Sequence, residues 1–258
     1  MPKPSTPPDM LQTARTALAC LDLTSLNDKD TPADIKRLCQ RAKGRRGRGA
    51  VAAVCVWPRF VQLARSLLPP HIAVAAVANF PDGSSDVARA VRDTAEIVAA
   101  GGQEVDVVIP YRDLDSAPAL LAAVRNACNG LRLKVILETG ELADEVLIAR
   151  ACRMALDAGA DFLKTSTGKM PVSATPQAAR VLLQAIAEDR TARSSVGFKP
   201  AGGIRTVADA AVYIALTQEF LGADAVTAQR FRIGASGILN DIEAVMDGGP
   251  RPVAGTTY

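Results

Sequence analysis

A chain of 258 residues that is 48% hydrophobic can bury one large core, as one α/β barrel or as two small domains. A net charge of +3 with 22% charged residues leaves no strong nucleic-acid or membrane footprint, and no apolar run approaches the ~20 residues of a membrane span. Five cysteines without paired spacing and a single histidine, His71, point to free thiols in a reducing compartment and away from a metal site. The N-terminal "MPKPSTPPDM" lacks the apolar centre of a secretory signal, so a cytoplasmic protein is expected.

In chain order, a short extra helix is expected over residues 9–17. Eight apolar runs then follow: "ALACLDL", "AVAAVCVW", "IAVAAVA", "EVDVVIP", "LKVILE", "DFLKT", "SVGFKP" and "ADAVTA". The segments between and after them have helical periodicity: residues 32–43, 59–68, 85–100, 116–128, 142–158, 175–189, 206–220 and 236–247. In residues 85–100, Val87, Ala90, Val91, Ala95, Ile97 and Val98 share a face, with Ser85 as the expected N-cap and Gly101 as the stop. A joint recurs in "AAGGQEVDVV", "DAGADFLKT" and "FLGADAVTA", where a helix ends at glycine and a strand is expected to begin.

Continuous apolar runs are the mark of parallel strands buried on both faces, and strict strand–helix alternation implies right-handed crossovers. Eight such units predict a closed (β/α)8 TIM barrel. The rival, a doubly wound open sheet, would usually show fewer strands and an early glycine-rich dinucleotide turn, and none follows the first strand. No interior linker divides the chain, so residues 1–258 are read as a single domain with mobile tails at 1–8 and 248–258.

In a barrel, functional groups sit at the carboxyl ends of strands and in the loops beyond. Period-two alternation puts Asp22 on a face with Cys20 and Asp106 on a face with Glu104; Cys55 lies near the end of the second strand. Lys164 ends the sixth strand and Lys199 the seventh. Charges inside an apolar barrel are costly unless paired, so these lysines and aspartates are expected to pair with one another. A lysine attacks a carbonyl only when unprotonated, and both burial and a nearby cation favour that state. Two lysines on neighbouring strands fit this chemistry, but spacing does not decide which is the nucleophile.

The loops after the last two strands suit an anion. "KPAGGIRT" places Gly202 and Gly203 before a helix, and "IGASG" places Gly234, Ser236 and Gly237 at the start of the last one. Glycines let backbone N–H groups approach a phosphate, and helix N-termini favour negative charge. Lys169 is available as a third contact.

The motifs "LDLTSLNDKDTPADI", "VCVWPRF", "EVDVVIPY", "DFLKTSTGK", "GFKPAGGIRT" and "FRIGASG" together resemble the deoxyribose-phosphate aldolase family, over about residues 18–247. The resemblance implies a class I aldolase on a barrel, without metal or organic cofactor, acting on small sugar phosphates and aldehydes, and often dimeric. It implies that Lys164 forms the Schiff base, Lys199 perturbs it, Asp106 transfers protons and Asp22 pairs with the second lysine. It places Lys169, Gly202, Gly203 and Ser236 at the phosphate, Cys55 near the site, and Tyr258 on a tail that assists proton exchange. Where some members carry two serines, this chain has Ser236-Gly237, which keeps a backbone N–H but loses a hydroxyl.

Other features have plainer readings. "KGRRGRG" at residues 43–49, without interleaved aromatics, is read as a solvated loop at the amino-terminal face rather than an RNA-binding patch. His71 is read as structural; Trp57 and Phe60 are expected to pack a helix onto the barrel. Glu138 could line the site or pair with a neighbouring cation. A related Schiff-base aldolase with another donor, or a sugar-phosphate-binding regulator without catalysis, are the rival functions.

Overall fold

A computed structural model describes residues 9–249, apart from Arg46 and Asn129. Among these, the strands are β1 (Leu21–Thr24), β2 (Ala53–Val56), β3 (Ala73–Ala78), β4 (Glu104–Val108), β5 (Arg132–Ile136), β6 (Phe162–Lys164), β7 (Gly197–Lys199) and β8 (Ile233–Ala235). They pair in parallel in the order β7-β6-β5-β4-β3-β2-β1-β8. Bridges from Phe198 to Phe231 and from Ala201 to Gly234 bring the two ends of that series together. The result is the expected (β/α)8 barrel.

Helices alternate with the strands: α1 (Met10–Ala19), α2 (Pro32–Ala42), α3 (Val61–Leu67), α4 (Val87–Ala99), α5 (Ala117–Ala127), α6 (Thr139–Leu142), α7 (Glu145–Asp157), α8 (Pro176–Glu188), α9 (Ala192–Ser195), α10 (Val207–Leu221) and α11 (Ile238–Asp247). The extra N-terminal helix is α1, which packs on α10 and α11. Local chemistry sets the helix starts. Thr31 and Asp34 form a capping box for α2, as Thr206 and Asp209 do for α10, so each box satisfies two orphan backbone donors. At two of the recurring joints Gly101 and Gly159 take φ of +83° and +77°, a conformation that costs a side chain, before the chain enters β4 and β6. None of the described helices is long and apolar enough to cross a membrane.

Four expectations need correction. The run "ADAVTA" is not the eighth strand: Ala223–Ala225 form a 3-10 turn in which Ala223 and Asp224 are exposed, and β8 lies further on at Ile233–Ala235. There Ile233 registers with Leu21, and the preceding Arg232 is turned inward, so a buried charge hid the strand from a reading based on apolar continuity. The first run begins too early, because Ala17–Ala19 still belong to α1 and Cys20 caps it. The helix expected over 142–158 is broken at Ala143, whose φ of +54° ends α6 before Asp144 caps α7. The N-cap of α4 is Asp86, whose side chain accepts from Arg89 N, rather than Ser85.

Arg45 and Arg48 of the basic loop pair with Asp247 of α11, and His71 is exposed just before β3. Trp57 packs edge-on against Phe80 at 5.5 Å and donates its indole N–H to Asn27 O. The terminal tails expected to be mobile lie, up to residue 8 and from residue 250, outside the described residues; Gly248 caps α11.

Candidate active site

The barrel axis is occupied by charge. Asp22 on β1, Asp106 on β4, Lys164 at the end of β6 and Lys199 at the end of β7 are all 3% exposed or less. Lys164 and Lys199 stand in register on adjacent strands. One carboxylate oxygen joins them: Asp106 Oδ2 accepts from Lys164 Nζ at 2.8 Å and from Lys199 Nζ at 2.7 Å. Lys199 Nζ also donates to Asp22 Oδ2 at 2.5 Å. The four residues singled out on separate strands thus form one connected cluster.

Two further members were missed in the sequence. Lys134 of β5 is fully buried, with Nζ 2.7 Å from Asp106 Oδ1, 2.6 Å from Glu104 Oε2 and 3.4 Å from Asp22 Oδ2. Arg232, just before β8, donates to Asp22 Oδ1 at 2.5 Å and to Glu104 Oε1 at 2.8 Å. The available signal for Lys134 was a cation inside the buried run "LKVI", directly opposite Asp106 in register. For Arg232 no such signal was usable while the eighth strand was misplaced.

The surroundings push the two strand-end lysines in opposite directions. Burial pushes Lys164 below the usual lysine value, and the Lys199 ammonium adds to this against the pull of Asp106. Burial acts on Lys199 as well, but the Asp106 and Asp22 carboxylates outweigh it and hold its amine above the usual value. Asp106 and Asp22 are both held well below the ordinary carboxylate range, because the surrounding cations overcome the burial penalty. Cys55, on the same wall, is fully buried, and burial followed by the Asp106 charge raises its thiol to about 11. It is a neutral thiol at neutral pH.

Beyond the lysines, the loop after β6 is fastened at both ends. Glu138, a buried residue with φ of +53° at the end of β5, accepts the Thr167 hydroxyl at 2.5 Å and the Thr167 N–H at 3.3 Å. Thr167 Oγ1 in turn accepts the Lys169 N–H at 3.0 Å. Burial raises the Glu138 carboxyl. Glu138 therefore belongs to this loop clamp, a partner that the sequence left open. Thr165 ties the same loop to the next one, its Oγ1 accepting the Ala201 N–H at 3.0 Å.

The residues assigned to phosphate gather on the same rim. Lys169 is exposed, with Nζ donating to Leu26 O at 2.6 Å across the barrel mouth. Gly202 and Gly203 both take φ of +80°. A side chain on Gly202 would stand 2.6 Å from the Ser173 side chain and 3.0 Å from Gly168 Cα, so the loops after β6 and β7 touch here. The Gly202 N–H already donates to Gly234 O at 3.3 Å, whereas Gly203 faces open space. Ser236 is exposed and Gly237 is the N-cap of α11. Tyr258 lies outside the described residues.

A parallel barrel with two lysines at the carboxyl ends of adjacent strands, paired to carboxylates inside the barrel, and with glycine turns and a lysine in the loops beyond, has the layout of a barrel enzyme. The chain belongs to the DeoC/LacD family of aldolases, whose family model matches residues 16–239. Solved structures agree. A proposed deoxyribose-phosphate aldolase from Toxoplasma gondii ME49 is 26% identical, with a TM-score of 0.83 over 93% of this chain and 98% of that one. One from Coccidioides immitis is 28% identical, with a TM-score of 0.75 over 94% and 88%. The deoxyribose phosphate aldolase of Aeropyrum pernix, described as a unique tetramer, shares the fold at 23% identity and a TM-score of 0.71, covering 93% and 98% of the two chains.

Proposed function

We propose that this aldolase reversibly cleaves 2-deoxy-D-ribose 5-phosphate to acetaldehyde and D-glyceraldehyde 3-phosphate through a Schiff base on Lys164, in cytoplasmic deoxyribonucleotide breakdown, as a homodimer. The observation that carries the reading is the contrast between the two lysines on Asp106 Oδ2: burial favours the neutral amine at Lys164, and carboxylates favour the ammonium at Lys199. Only a neutral amine has the lone pair that attack requires.

In this reading the Lys164 nitrogen adds to C1 of the open-chain sugar, and one of its protons passes by way of Asp106 to the C1 oxygen, giving the carbinolamine. The carbinolamine hydroxyl leaves as water with a proton supplied through Asp106 and Lys199, giving an iminium. A base, Asp106 or its water, removes the C3 hydroxyl proton; the C2–C3 bond breaks, its electrons moving to the iminium nitrogen. Glyceraldehyde 3-phosphate departs and an enamine remains. Protonation at C2, assisted by Tyr258, and addition of water release acetaldehyde and restore the amine. Proton transfers of this kind contribute about 10²–10⁴-fold. Lys169, the Gly202–Gly203 turn and the N-terminus at Ser236–Gly237 hold the phosphate, remote from the breaking bond, and so supply orientation.

Borohydride reduction with deoxyribose 5-phosphate, followed by peptide mass mapping, tests nucleophile and reaction class together. The adduct is expected on Lys164, with Lys164→Leu folded and inactive; an adduct on Lys199 would overturn the assignment. Turnover of keto-sugar phosphates in preference to deoxyribose 5-phosphate would replace the substrate. Light scattering reads the assembly.

A further inference from the structure

The barrel interior holds three carboxylates, Asp22, Glu104 and Asp106, and four cations, Lys134, Lys164, Lys199 and Arg232, each 3% exposed or less. With all seven ionised the cluster carries one excess positive charge. With Lys164 neutral it carries none. An uncompensated charge in a low-dielectric interior is strongly disfavoured, so the composition of the cluster selects the protonation state of its odd member. Lys164 is the odd member by geometry: it touches one carboxylate oxygen, whereas Lys134 reaches three carboxylates and Lys199 and Arg232 reach two each.

We propose that Lys134 is a positioning residue for the reaction: held by Glu104, Asp106 and Asp22, it supplies the fixed positive charge that leaves the interior neutral only when Lys164 carries no proton. It never touches the reacting atoms in this scheme. It occupies Asp106 Oδ1, so that Oδ2 alone faces Lys164 and Lys199. Two further groups face Lys164. The Cys55 thiol is neutral, and the Glu138 carboxyl lies outside the seven-member cluster, engaged by the Thr167 hydroxyl and N–H. Arg132 reaches Glu104 from the amino-terminal end, but its side chain is 32% exposed and solvent screens it.

The inference rests on the aldolase reading for its functional meaning, but its test does not need turnover. Lys134→Met removes one interior cation, and the cluster recovers neutrality by keeping Lys164 protonated. Glu104→Gln removes one carboxylate and makes a proton on Lys164 less favourable. The double variant removes one of each. The pH dependence of Lys164 labelling by acetic anhydride, read by mass spectrometry, and the acid limb of kcat/KM with deoxyribose 5-phosphate are the two readouts. Lys134→Met is expected to move both to higher pH by about 1–2 units, the effect of a unit charge a few ångströms away at an effective dielectric near 20. Glu104→Gln should move both to lower pH, and the double variant should return both toward wild type. A merely structural lysine would lower stability and leave the labelling curve in place.

If Lys134→Met does not fold, the opposed shift of Glu104→Gln and its reversal in the double variant carry the test. Coincident curves, or shifts of the same sign in both single variants, would overturn the proposal. Labelling shifts of the expected signs without any turnover of deoxyribose 5-phosphate would uphold it and sink the substrate assignment instead.

Discussion

Lys164 and Lys199 are register partners at the ends of adjacent strands and donate to the same oxygen of Asp106, yet their amines are driven in opposite directions. The difference lies in what else each one meets. Lys199 has Asp22 as a second counter-charge, whereas Lys164 pairs with Asp106 alone among the described residues. In the proposed reaction a nucleophile and its electrostatic partner are thereby made from the same residue type, one carboxylate apart.

The first consequence concerns stability. A lysine whose folded value lies below its unfolded value of about 10.4 makes the folded state bind fewer protons than the unfolded one, so stability rises with pH between the two values. At neutral pH, well below the unfolded value, the native state still carries a cost for that amine, and the cost fades as pH rises toward the unfolded value. Lys164→Met is therefore expected to be more thermostable than the parent at pH 7 while losing all turnover, with the advantage fading as pH approaches about 10.4. Each unit of depression is worth about 1.4 kcal/mol, and each kcal/mol about 2–4 °C in a chain of this size. Melting curves across pH check the sign; a variant less stable than the parent at pH 7 contradicts it.

Lys199→Met should behave in the opposite sense. Its folded value is raised, so its contribution is fully present below about pH 10.4 and is lost only as pH rises through the folded value. Removing it leaves Asp22 and Asp106 each short of a buried partner, a loss of about 3–5 kcal/mol at neutral pH. Urea denaturation at pH 7 would show the midpoint falling, and the acid limb of the rate profile should move to higher pH as Lys164 loses its neighbouring cation.

The barrel was legible in the sequence because strands covered on both faces must be apolar along their length, and glycine joints mark where helices stop. Lys164 and Lys199 were legible as cations closing such strands. Lys134 and Arg232 were not, because a charge inside a strand is explained only by counter-charges on other strands. Asp106 lies 28 residues from Lys134 in the chain, and Asp22 lies 210 from Arg232. The same blindness misplaced β8, which that arginine directly precedes. The loop clamp from Glu138 to Thr167 was similarly hidden, since it depends on a left-handed backbone turn at Glu138.

That clamp yields a separable prediction. Thr167→Val keeps the shape of the side chain but removes the hydroxyl that Glu138 accepts and that receives the Lys169 N–H. Leaving such buried groups unpaired costs about 1–3 kcal/mol. The segment between Lys164 and Lys169 would lose its fixed course, so KM for the phosphorylated substrate should rise more than kcat falls. Steady-state kinetics with deoxyribose 5-phosphate decide this, and an unchanged KM would show that the loop is held by its other contacts.

Lys169 is expected to act on the phosphate alone. A charge-assisted hydrogen bond contributes about 1.5–3 kcal/mol, so Lys169→Met should raise KM for deoxyribose 5-phosphate by roughly 10–10²-fold. Deoxyribose without phosphate should be cleaved no more slowly than by the parent. Comparing kcat/KM for the two substrates isolates the effect; equal losses on both would place Lys169 in the chemistry instead.

The adjacent glycines should respond unequally to the same substitution. Both sit at φ of +80°, so alanine at either position incurs backbone strain of about 1–3 kcal/mol. At Gly203 nothing lies within 4 Å of the added methyl, and the backbone cost is the whole effect on folding. At Gly202 the methyl would stand 2.6 Å from both heavy atoms of the Ser173 side chain and 3.0 Å from Gly168 Cα, which forces the loops after β6 and β7 apart. Gly202→Ala is therefore expected to be the less stable of the two by about 1–3 kcal/mol and to disturb Lys169 through Gly168. Thermal denaturation of the pair, with KM for the phosphorylated substrate, tests this ordering, and equal losses would mean that Ser173 can move aside.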